Sequence, residues 1–339
     1  MTKNLLCTLG LTLACSLLPA QTSPATSDDP NAIDSQPSRV FRVNVRALLN
    51  QDNFAELETI ADSARIEKAR LPGGAWKLNA FYSIVAGPGS LTSTDDVWNA
   101  HIARLNRWAE AFPNSITPRV ALGMAYTRYA WKARGNGWAN TVTPTGWQMF
   151  KSRIQQARTT LEAAQTLSRS DPQWYHAMQT VALAQGWSRE DVTKLVDSAI
   201  ATEPGYYYVY IAQASFLLPK WYGKNGEAEA FVESAPDSDE GNIVYFRVAE
   251  AMDCCGKKNE LPALSWSRVK RGFAALDKVY GTVNHQRNVM AYLAVRNNDQ
   301  AYANEMFAHI GDDWDRSVWE SKANFDNRAV VTAAAEGQK

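Results

Sequence analysis

One spacing constrains this chain more than any other feature. Asp171-Pro172 is followed 32 residues later by a second acidic–proline pair, Glu203-Pro204. Gln173 to Thr202 between them is an apolar-periodic run broken once, at Gly186-Trp187-Ser188. That is the shape of one helix–turn–helix unit. Such a unit cannot bury its apolar face alone and needs stacked neighbours.

A second segment shares its register. Thr180, Val192, Val196 and Ala199 follow one another at steps of 12, 4 and 3, and so do Ala291, Ala303, Phe307 and Ile310. Asn297-Asn298-Asp299 supplies the turn inside the second unit. The hairpins Phe54–Ala64 and Tyr206–Ala235 fit the same register loosely.

Helical periodicity extends along most of the chain. Phe41, Val45, Leu48 and Leu49 form one stripe, and Asp52-Asn53 then gives a turn and a cap. Phe54, Leu57, Ile60, Ala61 and Ala64 continue on a second helix, with Leu71-Pro72-Gly73-Gly74 as its stop. Thr94-Asp95-Asp96 caps a helix bearing Trp98, His101, Leu105 and Trp108, and Thr117-Pro118 starts another. In the latter, Leu122-Gly123-x-x-Tyr126 matches the first-helix signature of a tetratricopeptide repeat, where a small residue lets two helices approach. Tyr206 to Ile211 has strand-like composition, but its place after Pro204 at a repeat start argues for helix. The expected fold is all-α: about fourteen helices in degenerate tetratricopeptide-like hairpins, stacked as an α-solenoid over residues 39–325, with a tail over 326–339.

The amino terminus reads as an export signal over residues 1–20. Lys3 is its positive region, Leu5 to Leu18 its apolar stretch, and cleavage follows Ala20. Lipidation at Cys15 is the alternative, with Thr12 a poor fit to a lipobox. Either route places the mature chain in the bacterial envelope, with the periplasm preferred. Residues 21–38, rich in Ser, Thr, Pro, Asp and Asn, read as a flexible linker. No later run of about 20 apolar residues predicts a transmembrane span. Export leaves Cys254 and Cys255 as the mature cysteines, an adjacent pair read as an oxidised or buried structural pair.

Basic and acidic residues both number 35, so no net field favours nucleic acid. The chain lacks His-Glu-x-x-His, Cys-x-x-Cys and Gly-x-Ser-x-Gly, so no catalytic residue, metal ligand or cofactor is expected. His101 and His176 lie on helical stripes and read as core or interface; His285 and His309 are isolated. Asp237-Ser238-Asp239-Glu240-Gly241 lacks calcium-loop spacing and reads as a capping linker, and Asp312-Asp313-Trp314-Asp315 as a turn and cap.

Two Trp-rich segments stand out. One is Ala130-Trp131-Lys132-Ala133-Arg134-Gly135-Asn136-Gly137-Trp138-Ala139-Asn140-Thr141-Val142; the other is Leu218-Pro219-Lys220-Trp221-Tyr222-Gly223. Around them sit Gly73-Gly74-Ala75-Trp76-Lys77-Leu78 and Ile310-Gly311-Asp312-Asp313-Trp314-Asp315. In this order, over about Val45 to Trp319, the chain resembles the bacterial domain of unknown function family 4034, whose members are predicted helical-repeat proteins. Tyr222 departs from that pattern, which often has Gly there. The resemblance implies the fold and supplies no activity.

The candidate surface is Trp131, Arg134, Gly135, Gly137, Trp138, Thr141 and Trp147, on what reads as a long non-helical insertion, together with Lys220 and Trp221. Arg134 has the geometry to hold a carboxylate or phosphate, and the indole faces to stack on a ligand. The competing reading is structural, with Arg134 on helix-end carbonyls, Pro219 and Gly223 enforcing a turn, and the 12 Trp filling contacts between helices. The expected role is an interaction scaffold for a protein or peptide partner. The alternative is an all-α envelope enzyme or carbohydrate binder, in which Trp131, Arg134, Trp138 and Trp221 converge on one cleft with two carboxylates.

Overall fold

The computed structural model describes residues 36–135, 139–167, 171–253 and 263–328. The expected signal, Cys15, most of the linker, Gly137, Trp138, the Cys254–Cys255 pair and most of the tail lie outside them.

The described chain is helical almost throughout. In order, the helices are α1 (Gln36–Asn50), α2 (Phe54–Ile66), α3 (Lys77–Val85), α4 (Asp95–Ala111), α5 (Thr117–Arg134), α6 (Pro144–Ala164), α7 (Pro172–Gln185) and α8 (Arg189–Thr202). There follow α9 (Tyr207–Phe216), α10 (Glu227–Glu233), α11 (Asp239–Asp253), α12 (Trp266–Tyr280), α13 (Asn284–Arg296), α14 (Gln300–Ile310), α15 (Arg316–Trp319) and α16 (Lys322–Asp326). The described residues thus hold sixteen helices against about fourteen expected, the short α15 and α16 among them. Helix α1 begins at Gln36, inside the expected linker, with Pro37 in the first turn where its missing N–H costs nothing.

The helices form two layers. Odd-numbered helices from α1 to α13 pack on one another in succession, and most even-numbered helices pack on their own hairpin partner. This next-but-one pattern is that of stacked hairpins. At the carboxyl end the Trp319 ring of α15 packs on Tyr292, Phe307 and Phe325, closing the last hairpin. The apolar core has an amino-terminal and a carboxyl-terminal cluster; Val181 of α7 belongs to the first and Ala182 to the second.

The 32-residue unit is α7 and α8. Asp171 caps α7, accepting from the Gln173 N–H at 2.9 Å, and Gly186 ends that helix in the left-handed region. Ser188 caps α8, and Glu203 closes it. Val192, Val196 and Ala199 are buried as the register requires, and so are Ala291, Ala303 and Ile310, whereas Thr180 and Phe307 are half-buried. Asp315 caps α15, and Ser238 caps α11 by accepting from the Gly241 N–H at 3.2 Å. Tyr207 opens a helix rather than a strand.

Two local expectations are corrected. Helix α2 stops at Ile66, well before Leu71, because Lys68 takes a positive φ and the Ala69 N–H turns back to the Ala64 carbonyl. The residues expected to stop it form a strap instead: strand β1 (Arg70–Leu71), a 3-10 turn (Pro72–Gly74) and strand β2 (Ala75–Trp76), paired antiparallel. The second correction concerns Trp131 to Trp147, whose two ends are helical. Trp131 and Arg134 form the last turn of α5, and Trp147 the first turn of α6. Both indoles pack edge-on against Phe150, at 5.0 and 5.7 Å, so apolar contact carries the helix on until Gly135 (φ 72) ends it.

The strap joins distant parts of the molecule. The Trp76 indole is buried in the carboxyl-terminal cluster and donates to the Gly205 carbonyl at 3.0 Å. Lys68 pairs with Glu203 at 2.8 Å, and the Gln286 amide donates to the Gly73 carbonyl at 2.8 Å. These contacts run along the amino-terminal ends of α9 and α13.

Candidate functional site

The residues singled out in the sequence fall in two places. Arg134 is 5 % exposed and held between Trp131 and Trp147, its guanidinium carbon 5.4 and 5.6 Å from the two rings. It donates to the Gly135 carbonyl at 3.1 Å, at the end of α5. Gly135 and Thr141 are exposed nearby. Lys220 and Trp221 are partly buried in the turn after α9, and Trp221 packs on the carboxyl-terminal cluster, whereas Trp131 and Trp147 pack on the amino-terminal one. Trp76, Trp98, Trp108 and Trp319 are fully buried, so much of the tryptophan content fills contacts between helices.

A different set of polar groups shares one face. The first-layer helices from α3 to α13 are buried on most sides, and each first-layer helix carries half-exposed residues. On α1 the stripe they form carries Arg42 and Arg46, on α3 Asn79 and Ser83, on α5 Met124 and Arg128, and on α7 His176 and Thr180. Tyr208 continues it on α9, Arg247 and Glu250 on α11, and His285 on α13. Residues three or four apart lie above one another on a helix, which is why α1, α3, α5, α7 and α11 each contribute a pair.

Beneath the stripe lies a buried polar cluster. Asp171 accepts from Arg65 Nε at 3.0 Å, from Arg65 Nη2 at 2.8 Å and from the Tyr82 hydroxyl at 2.7 Å, all on one oxygen. Arg65 Nη2 also donates to the Thr117 hydroxyl at 3.0 Å. Burial, then the Asp171 charge, raises the Tyr82 pKa well above its usual range, so the phenol stays neutral. The Gln173 carbonyl oxygen accepts from Asn79 Nδ2 at 2.9 Å and from the Tyr206 hydroxyl. Its amide nitrogen lies 3.0 Å from His176 Nδ1.

The carboxyl-terminal half of the stripe is a second chain of contacts. Arg247 donates to the Tyr207 hydroxyl at 2.9 Å and pairs with Glu250 at 2.7 Å. His285 places Nδ1 2.8 Å from Asp315 and Nε2 3.7 Å from Glu250. Burial raises the Asp315 pKa, but the His285 and Ser317 hydrogen bonds outweigh it and leave the carboxyl below its usual range. No serine or cysteine hydrogen-bonds the imidazole of His285 among the described residues, so this carboxylate–imidazole pair lacks a nucleophile in contact. Among the described residues no three His, Cys, Asp or Glu side chains group as a metal site.

The electrostatics change along the stripe. Toward α1 and α3 it is cationic. Arg46 donates to the Gly87 and Ile84 carbonyls at 2.8 and 2.6 Å, and Arg128 to the Ser83 carbonyl at 2.8 Å. These, with His101 Nε2 3.0 Å from the Val85 carbonyl, collect at the carboxyl end of α3, where helix polarity favours positive charge. Desolvation, then the Arg46 charge, lowers the Arg128 pKa to about 10. Desolvation, then the Arg128 charge, lowers the His176 pKa to about 4.

Sequence reasoning missed Arg128, Tyr208, Arg247 and Glu250, and placed His176 and His285 as core, interface or isolated residues. The available signal was a polar residue recurring once per first-layer helix in otherwise apolar surroundings.

The model of a family described as a domain of unknown function (DUF4034) matches residues 41–191, from α1 into α8. The match is narrower than the Val45–Trp319 extent of the resemblance and leaves out the segments around Trp221 and Trp314. No curated protein and no solved structure matches the chain.

Proposed function

We propose that this chain, whose residues 41–191 match the DUF4034 family model, is a helical-repeat binding protein of the bacterial envelope that takes a protein or peptide segment along its first-layer face. The observation behind this reading is the continuous half-exposed stripe, to which α1, α3, α5, α7, α9, α11 and α13 each contribute side chains. A row with one step per repeat suits an extended chain better than a compact small molecule, because the spacing of donors follows the spacing of helices. A curved stack would make this face concave, as in an α-solenoid. The amino-terminal sequence supports export with cleavage after Ala20. No helix among the described residues is long and apolar enough to cross a membrane.

The enzyme or carbohydrate reading needs Trp131, Arg134, Trp138 and Trp221 in one cleft with two carboxylates; Trp138 lies outside the described residues, and the other named residues can be placed. They pack on separate core clusters, which favours the scaffold reading.

Peptide selection on the mature chain tests the proposal, with counter-selection against a His176→Glu/Arg247→Glu variant of unchanged helicity. Enriched sequences that bind the natural chain and lose at least about tenfold in affinity on the variant are expected. Recovery of no such sequence, with binding to a glycan array, would reverse the order of the two readings.

A further inference from the structure

We propose that His176, Tyr208 and Arg128 form an oxyanion site that takes a carboxylate group. The proposal rests on the reading of the first-layer face as the ligand face, and names what that face anchors.

The argument is one of hydrogen-bond polarity. Gln173 Oε1 accepts from Asn79 Nδ2 at 2.9 Å and from the Tyr206 hydroxyl, which fixes the orientation of the amide. Gln173 Nε2 therefore faces His176 Nδ1, 3.0 Å away. An amide nitrogen only donates, so Nδ1 accepts and the imidazole proton sits on Nε2. No described residue accepts from that Nε2–H.

A second relay ends beside it. A guanidinium has no acceptor, so Arg247 donates to the Tyr207 hydroxyl at 2.9 Å. Tyr207 then spends its own proton on the Tyr208 hydroxyl, also at 2.9 Å. The Tyr208 oxygen is the acceptor in that bond, and its own proton has no acceptor among the described residues. The Tyr208 and His176 rings are neighbours, with centroids 5.8 Å apart. Burial holds the Tyr208 phenol neutral and desolvation holds His176 neutral, so both present donors near neutral pH.

The third group supplies charge. Arg128 uses Nη1 on the Ser83 carbonyl and pairs with no carboxylate among the described residues. Arg46 is committed to the end of α3, and the Arg247 charge is answered by Glu250 at 2.7 Å. His176 and Tyr208 thus offer two neutral donors side by side, and Arg128, whose charge is felt at His176, adds one positive charge that no described carboxylate pairs. A carboxylate matches this inventory: it carries one negative charge, and its two oxygens accept from several donors at once. A phosphate dianion would bring more charge than Arg128 balances.

The test follows the side-chain 15N and 1H signals of His176 in the intact mature chain, assigned with His176→Phe. Sodium acetate is titrated at constant ionic strength, with sodium phosphate and sodium chloride as comparison arms. A saturable shift with acetate is expected, weakened about tenfold or more in Arg128→Met. Tyr208→Phe removes one hydroxyl, leaves the ring contacts and is expected to weaken acetate severalfold, which keeps the test informative if Arg128→Met unfolds. An unmoved His176 signal at every acetate concentration that preserves the fold overturns the site. Equal acetate affinity in both variants does the same, and preference for phosphate overturns the carboxylate assignment. Selected peptides that bind without acetate competition would leave the scaffold reading standing and remove this site. Acetate binding without any selected peptide would do the reverse.

Discussion

The side-chain amide of Gln286 donates to the Gly73 carbonyl at 2.8 Å across 213 residues of sequence. This bond fastens the strap between α2 and α3 to the first turn of α13. Gly73 has φ 75, and a Cβ placed there would lie 2.9 Å from the Gln286 side-chain oxygen and 3.1 Å from Val283. Gly73→Ala is therefore expected to cost at least about 1–2 kcal/mol from backbone strain alone. Gln286→Ala leaves a buried carbonyl unpaired and is expected to cost about 1–3 kcal/mol. Urea denaturation of both variants checks these values; an unchanged midpoint would mean that the strap is not part of the cooperative unit.

Asp171 is fully buried, and its Arg65 partner nearly so. Asp171→Asn preserves a cap for α7 and removes the buried one of the two carboxylates that pair with Arg65, the other being the exposed Asp62. Losing the buried partner is expected to cost about 1–3 kcal/mol. The Arg65→Met/Asp171→Asn pair should recover part of this, since the buried guanidinium is gone. A double-mutant cycle in denaturant measures that coupling, and simple additivity would contradict the pairing.

Gly123 of α5 lies against Leu161 of α6. A Cβ there would lie 2.6 Å from Leu161 Cγ. Gly123→Ala is expected to destabilise by about 1–3 kcal/mol through overpacking, despite the better helix propensity of alanine. Combining it with Leu161→Ala should cost less than the sum of the two single changes. Thermal denaturation of the three variants decides the matter.

Acid should weaken the fold through two histidines. Desolvation is the main cause lowering His101 and His176 from 6.5 to about 4, and the charges that lower them further are all cations: Arg46, Arg104 and Arg128 at His101, Arg128 at His176. Between those values the unfolded chain binds more protons than the folded one. Stability from these groups is complete above pH about 6.5 and is lost as pH falls toward about 4. Each contributes at most about 3 kcal/mol. Denaturant midpoints across this window, compared with His176→Gln, isolate the share of His176 from that of the carboxylates; identical pH slopes would contradict the shift.

Much of the scaffold was legible because its causes are local. The step from Pro172 to Pro204 and the shared 12–4–3 register predicted α7/α8 and α13/α14, whose turns are set by residues beside them. The boundaries that were misread depend on distant partners. Leu71 to Gly74 reads as a helix stop in isolation; its strap conformation is held by Val283, Gln286 and Tyr280. Trp131 to Trp147 reads as one insertion from its Gly and Pro content, yet its first four residues close α5 and its last four open α6, where two indoles close over Phe150.

The sequence alone determined an all-α stack of hairpins, since helix period, caps and breakers act within a few residues. Tertiary structure decided which polar groups share a surface. Arg128, His176, Tyr208 and Arg247 come from four helices and acquire their neighbours only when the first layer assembles. It also decided which way their protons point. Imidazole and phenol can each donate or accept, and the choice is made by Gln173 and Tyr207, whose own bonds run to Asn79, Tyr206 and Arg247.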